Sequence, residues 1–174
     1  FLGANGLTGE IGHTLVDTSS SALTCQCGAT GCLEAMASGT GIERIARQKV
    51  ASGDFSESVL AELDAGSLDS EAVFDAAGKN DPLAMSIVAG AVSALAIGLT
   101  NVVHLFNPDM IVLGGGVTQG LVKLDLLPRI DQGIRERTMS ELHKEFQLTS
   151  ARLGDSVGLA GAAALVWDQL AAEG

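Results

Sequence analysis

The sequence has no tyrosine, one tryptophan and five phenylalanines in 174 residues. Its core must therefore be filled by Ala, Leu, Val and Ile. Cations are also scarce: ten Lys and Arg stand against 21 Asp and Glu, a formal net charge of -11. That charge repels a phosphate backbone, so no nucleic acid is expected on this segment. No apolar run reaches ~18 residues without a polar interruption, and no signal-peptide pattern opens the chain. A cytoplasmic location with no membrane partner is the expectation. Three cysteines cannot all pair, and reduced, metal-binding thiols suit a reducing compartment. No internal repeat or low-complexity tract is present.

What is there is 47% hydrophobic, enough for one globular domain with a sizeable core. The chain opens on Phe1, not Met, and its first motif begins almost at once. It reads as a piece of a longer protein whose missing part lies upstream.

The stretch from Gly9 to Glu34 concentrates the chemistry. Cys25, Cys27 and Cys32 share one loop with Gly28 and Gly31, and His13 lies upstream. Three thiolates and one imidazole complete a tetrahedral zinc shell. A closed Cys3His shell leaves no position for a metal-bound water, so such a zinc is structural and holds Glu10, His13 and Glu34 in place against a ligand. The alternatives are incidental or buried thiols, or a redox pair at Cys25 and Cys27. Clustering in a glycine-rich, weakly apolar loop argues against burial.

Along the chain, glycines at 3, 6, 9 and 12 exclude a stable helix and suit a backbone passing close to a ligand. Residues 14–17 alternate as a short strand, and the Ser-rich 17–24 reads as a turn. Helix is expected over 33–37 and again over 41–50, with Thr40 as cap. A variable connection, 51–66, carries a short acidic helix at 57–63, and another helix covers 69–77. Asp81-Pro82 is a strong helix start, leading into a long apolar helix over 83–105 buried between layers. In it, Gly90 and Gly98 read as close-packing points and His104 as a core-edge histidine. Asn107-Pro108-Asp109 stops this helix, and Met110–Leu113 reads as a strand buried on both faces in a parallel sheet. Gly114, Gly115 and Gly116 follow, either as a tight turn or as a close approach to a nucleotide. A helix over 121–142 is interrupted near Pro128, a strand covers 146–151, and Gly154-Asp155-Ser156 caps a last helix over 157–171. In that helix Gly158, Gly161 and the alanines offer a thin face for tight packing. Long helices alternating with short apolar strands make the class α/β.

Gly-Leu-Thr-Gly-Glu-Ile-Gly-His (6–13), Cys-Gln-Cys-Gly-Ala-Thr-Gly-Cys-Leu-Glu (25–34) and Ala-Ser-Gly (37–39) closely resemble the ROK family of bacterial sugar kinases and sugar-responsive repressors. The resemblance extends through Phe-Asn-Pro-Asp-Met-Ile-Val-Leu-Gly-Gly-Gly-Val (106–117) and Gly-Leu-Ala-Gly-Ala-Ala (158–163), so it covers essentially the whole chain. It implies an actin-like ATPase (RNase H-like) C-terminal domain with a zinc-binding loop. In this scheme 1–174 is that domain, 1–40 its sugar-binding and zinc-loop segment and 81–174 its nucleotide-side core, with the N-terminal domain absent. Glu10, His13 and Glu34 are implied to bind sugar hydroxyls, Gly114 to Gly116 to face adenosine, and His13, Cys25, Cys27 and Cys32 to hold structural Zn2+. The catalytic aspartate is implied upstream, so no catalytic residue is assigned here. ATP and Mg2+ belong to the complete protein, and a homo-oligomer is expected. The parent function implied is an ATP-dependent hexose or N-acetylhexosamine kinase, glucokinase-like and inactive without its N-terminal domain. The alternative is the effector-binding domain of a ROK repressor, and a third reading outside the family is a zinc-stabilised interaction domain.

Overall fold

The computed structural model describes residues 3–53, 55–64, 66–142, 146–154 and 157–172. The helices are α1 (Leu33–Ala37), α2 (Gly39–Ser52), α3 (Ser70–Gly78), α4 (Pro82–Phe106), α5 (Gly116–Lys123), α6 (Leu127–Arg135) and α7 (Val157–Ala172). The strands are β1 (Met110–Leu113) and β2 (Gln147–Ser150), and 3-10 turns lie at Ile11–His13, Val59–Glu62 and Ser140–Leu142. The architecture is α/β, as expected.

The core is organised around α4. Asp81 starts it by accepting the Ala84 N–H at 2.9 Å, and Pro82 occupies a first-turn position where a missing N–H costs nothing. Asn107 ends it in the left-handed region, φ 43°, with Pro108 next in sequence. Leu83, Ile87, Val88, Leu99 and Val103 are buried, each contributing about 1.5–3 kcal/mol. Around them pack α1, α2, α3 and α6. Asp81 also accepts the Ser58 hydroxyl and the Val59 N–H, both at 2.9 Å, which ties the Val59–Glu62 turn to the start of α4. By length and composition alone α4 could cross a membrane; in this fold it is the central core helix. One face is nevertheless open, with Met85, Ser86 and Ser93 exposed, so burial on every side is corrected.

β1 and β2 are parallel, in register from Met110 opposite Gln147 to Leu113 opposite Ser150. The connection between them runs through α5 and α6, as a parallel pair requires. Only one face of β1 is covered: Ile111 is buried, whereas Met110 and Val112 are exposed.

Other expectations shift. Residues 14–17 form no strand; Leu15 makes an isolated antiparallel bridge to Cys32. Ser38, not Thr40, caps α2 by accepting the Gly41 N–H at 3.0 Å, which moves the helix start to Gly39. The acidic helix at 57–63 is only the 3-10 turn. The expected helix over 121–142 is two helices: Asp125, at φ 51°, breaks the chain between α5 and α6, and Pro128 sits in the first turn of α6, starting it instead of kinking one. Gly98 is a close-packing point, since a Cβ there would meet Leu33 Cδ2 at 2.7 Å, but Gly90, Gly158 and Gly161 have nothing within 4 Å. Leu159, Leu165, Val166 and Trp167 of α7 are exposed, so the tight packing expected of this helix is not seen. Asp155 and Ser156, the expected cap of α7, lie outside the described residues. His104 is at the edge, as expected, and its Nε2 accepts the Met139 N–H at 3.3 Å.

Candidate functional site

The loop between the Ile11–His13 turn and α1 folds back on itself through its backbone. The Gly31 carbonyl accepts N–H groups from Val16 and Asp17, the Leu23 carbonyl accepts the Gly31 N–H, and the Thr14 carbonyl accepts the Leu33 N–H. Gly31 sits at φ +86°, and a Cβ there would run into the Asp17 carbonyl, so only glycine serves. A tighter turn inside the loop joins the Cys25 N–H to the Ala29 carbonyl and the Gly28 N–H to the Cys25 carbonyl.

This folding brings together donor atoms from His13, Cys25, Cys27 and Cys32, all within 4.8 Å of one another. His13 Nδ1 lies 3.8 Å from Cys25 Sγ, and Cys27 Sγ lies 3.7 Å from Cys32 Sγ. A tetrahedral site with zinc–sulfur bonds of ~2.3 Å has sulfur–sulfur edges of ~3.8 Å, so the donor set fits the ion in chemistry and size. Cys25 and Cys32 are buried, which corrects the expectation that a glycine-rich loop leaves its thiols unburied, while His13 and Cys27 are exposed.

Protonation follows the same geometry. The hydrogen bond with the Cys25 sulfur holds the His13 imidazole above its ordinary pKa; burial opposes it, and the charges of Glu34, Cys25 and Glu10 add smaller upward pulls. The Ala29 N–H lowers Cys27, and burial pushes Cys32 up to about 12. A divalent cation reverses this pattern, because it binds neutral imidazole and thiolate and its own charge displaces the thiol protons.

Glu34, in the first turn of α1, lines the other side of His13. Its Oε2 is 3.9 Å from His13 Nε2, and its Oε1 is 4.0 Å from Cys25 Sγ. His13 thus presents Nδ1 to the cysteines and Nε2 to the carboxylate. Glu10 is exposed at the head of the Ile11–His13 turn, where its carbonyl accepts the His13 N–H at 3.1 Å. Glu10, His13 and Glu34 therefore share one neighbourhood with Cys25, Cys27 and Cys32.

Gly114, Gly115 and Gly116 lie between the end of β1 and the start of α5, and Gly115 takes φ 90°, ψ 177°, which is open to glycine alone. They line two cavities. One, about 330 Å³, includes Gly114, Gly115, Ser150 and Ala151; the other, about 390 Å³, lies between α3 and α5 and includes Ser70, Phe74, Gly116 and Lys123. The start of α2 abuts the starts of α3 and α5: a Cβ on Gly39 would come within 3.3 Å of Ser70 Oγ and 4.0 Å of Val117 Cγ2. The glycine loop is thus joined to the metal-loop side through α2. Ser70, Phe74 and Lys123 carried no signal in the sequence, because their shared cavity forms between distant segments; Lys123 Nζ meets Asp75 Oδ1 at 2.7 Å across 48 positions.

The ROK family model matches residues 1–169. The chain belongs to the ROK family. It is 36% identical over 167 residues to a glucokinase of Halalkalibacterium halodurans, covering 96% of this chain and 50% of the relative. It is 29% identical over 171 residues to a putative xylose repressor of a Caldicellulosiruptor species, covering 95% and 40%. Among solved structures, a ROK family glucokinase from Streptomyces griseus in complex with glucose and AMPPNP superposes with a TM-score of 0.73 at 29% identity, covering 92% of this chain and 51% of that one. The chain spans about half the length of the curated relatives it matches. Both kinases and repressors stand among the relatives of this ROK chain, so membership alone does not choose between them.

Proposed function

We propose that this chain is the C-terminal half of an ATP-dependent sugar kinase that phosphorylates a hexose or N-acetylhexosamine. The observation that carries this reading is the placement of Glu34 and His13 Nε2 side by side on the wall of a Cys3His cluster. A carboxylate accepts hydrogen bonds from vicinal sugar hydroxyls, and an imidazole engaged through Nδ1 offers Nε2 to a third. Glu10, from the same turn as His13, adds a second carboxylate. His13 Nδ1 and the sulfurs of Cys25, Cys27 and Cys32 would hold a zinc ion, which would fix the loop and supply no chemistry. Gly114 to Gly116 and the start of α5 face adenosine, their N–H groups free to approach it because no side chain intervenes.

In this reading the aspartate that takes the sugar proton, and the remainder of the phosphate site with Mg2+, lie upstream in the complete protein. This chain alone is inactive, because phosphoryl transfer depends on positioning and charge stabilisation that one half of a cleft does not provide. The complete protein is a cytoplasmic homo-oligomer. A second reading, the effector-binding domain of a repressor, is favoured by the xylose repressor relative and uses the same sugar pocket without turnover.

The test is ADP release by the full-length protein with glucose and with N-acetylated hexosamines, alongside the melting shift each sugar produces. Turnover with one sugar establishes the kinase. A melting shift without turnover establishes the sensor, and neither response to any hexose overturns both.

A further inference from the structure

Beneath the metal loop, facing α2, is a small cavity of about 20 Å³ lined by Cys25, Glu34, Ser38, Thr40, Gly41 and Arg44 among others. It has room for one water-sized group. Among the described residues, the one buried side-chain nitrogen or oxygen with no hydrogen-bond partner is Nε of Arg44. A buried N–H without a partner is costly, and more so on a charged guanidinium.

The charges around this cavity are unequal. With Zn2+ bound, three thiolates and the ion would sum to one negative charge, and the Glu34 carboxylate would add a second beside it. Among the described residues the charged partner of Glu34 within 4 Å is His13, which is neutral when its Nδ1 binds a metal. Arg44 is the one cation on the cavity wall. Its side chain is placed by α2, whose start is pressed against α1: a Cβ on Gly41 would come within 2.6 Å of the Glu34 carbonyl and 2.7 Å of the Ala35 carbonyl. The element carrying Arg44 and the element carrying Glu34 therefore move together.

We propose that Arg44 is a positioning residue for Glu34, its guanidinium supplying from behind the metal loop the positive charge that holds the carboxylate in its sugar-binding orientation through one water in the cavity. This deepens the sugar-binding reading and rests on it. The guanidinium suits the task because it stays charged when buried and offers donors in fixed directions, whereas a lysine supplies the charge without the fork. Water-mediated contact accounts for the lack of a direct ion pair between the two residues.

The experiment uses the full-length protein with Arg44→Met, Arg44→Lys, Glu34→Gln and the double variant Glu34→Gln/Arg44→Met. Three quantities are read: the dissociation constant for the best-bound hexose, zinc per chain, and the visible spectrum of the Co2+-substituted protein. Arg44→Met is expected to weaken sugar binding about tenfold with zinc content and Co2+ spectrum unchanged, and Arg44→Lys to restore part of the loss. Within the double variant the loss is expected to match that of Glu34→Gln alone, since a positioning residue has nothing left to position. If Arg44→Met does not fold, Arg44→Lys decides: sugar binding equal to wild type overturns the proposal. So does loss of zinc or a changed Co2+ spectrum with sugar affinity intact, which places Arg44 on the metal loop alone. If Glu34→Gln binds sugar as wild type does, the sugar-binding reading itself fails, an outcome separate from failure of the arginine variants alone.

Discussion

Gly41→Ala tests whether the contact between α1 and α2 sets the candidate sugar site. Gly41 is buried, and its added methyl would lie 2.6 Å from the Glu34 carbonyl oxygen and 2.8 Å from the Ala35 carbonyl carbon. Ordinary contact needs ~3.5 Å, so the two helices must separate by roughly 0.9 Å, and the obstructing atoms are backbone that cannot rotate aside. Overpacking of this kind costs about 1–3 kcal/mol, and the better helix propensity of alanine returns at most about 1 kcal/mol. A net loss of about 1–2 kcal/mol is expected, seen as a fall in urea midpoint of roughly 0.5–1 M at unchanged slope. Because the displaced carbonyl belongs to Glu34 itself, sugar affinity of the full-length protein should fall by at least about tenfold. Gly90→Ala is the control: it is a helix-interior glycine with nothing within 4 Å of the new methyl, so it should gain up to about 1 kcal/mol with sugar affinity unchanged. If Gly41→Ala is as stable as Gly90→Ala and binds sugar normally, the reasoning is refuted.

Freshly purified protein should carry about one zinc per chain and Cys32→Ser far less, since a serine hydroxyl does not replace a buried thiolate; metal analysis showing equal zinc in both would remove the metal from the site. For Asp81, burial works against the charged form, but N–H groups of Ala84 and Val59, the Ser58 hydroxyl and the Leu83 N–H outweigh it and hold the carboxyl below its ordinary value. Its folded pKa is thus below its unfolded one, so its stabilisation is complete above about pH 4 and is lost as pH falls through the folded value. Asp81→Asn should cost about 2–3 kcal/mol at neutral pH, and urea titrations should show the gap to wild type narrowing in acid; a gap independent of pH would contradict the assignment. Gly115→Ala places a methyl-bearing residue where only glycine is at ease, at a cost of about 1–3 kcal/mol. Steady-state kinetics of the full-length protein should show a raised KM for ATP with the sugar KM unmoved, and an unmoved ATP KM would detach the glycine loop from the nucleotide.

The long helix was legible because its signals are local: Asp81-Pro82 at one end, Asn107-Pro108 at the other and an apolar run between. The donor set was legible for a similar reason, since three cysteines and His13 lie within one short segment. What was hidden depended on contacts between distant segments. The side exposure of β1 could not be read from Met-Ile-Val-Leu, because an apolar run says nothing about which faces are covered. Pro128 reads as a kink in the sequence because the positive φ of Asp125, which ends α5 first, leaves little trace there. Gly90 and Gly98 looked alike on one helix, yet only Gly98 meets Leu33. Arg44 resembled any helix-surface arginine until folding buried its Nε and set the residue on the wall of the cavity under the loop.

That last group of contacts explains how so short an element as α1 can hold the candidate sugar-binding residue Glu34 in place. Five residues form little more than one turn, far below the length at which a helix holds itself in water. Its geometry is imposed from three sides. The Cys32 sulfur joins its N-terminus to the Cys3His cluster, Leu33 packs on Gly98 of the core helix, and Gly41 of α2 presses on the carbonyls of Glu34 and Ala35. Glu34 is the residue all three constraints flank. Relaxing any one of them should therefore act on the same carboxylate: zinc removal, a methyl at Gly98 and a methyl at Gly41 are expected to converge on weaker sugar binding although the three perturbations lie on different elements. Pairs of these changes should combine to less than the sum of their separate effects on sugar affinity, because each releases an orientation that the others have already lost. Strict additivity would mean that the three contacts stabilise the fold independently and that α1 is not the element through which they act.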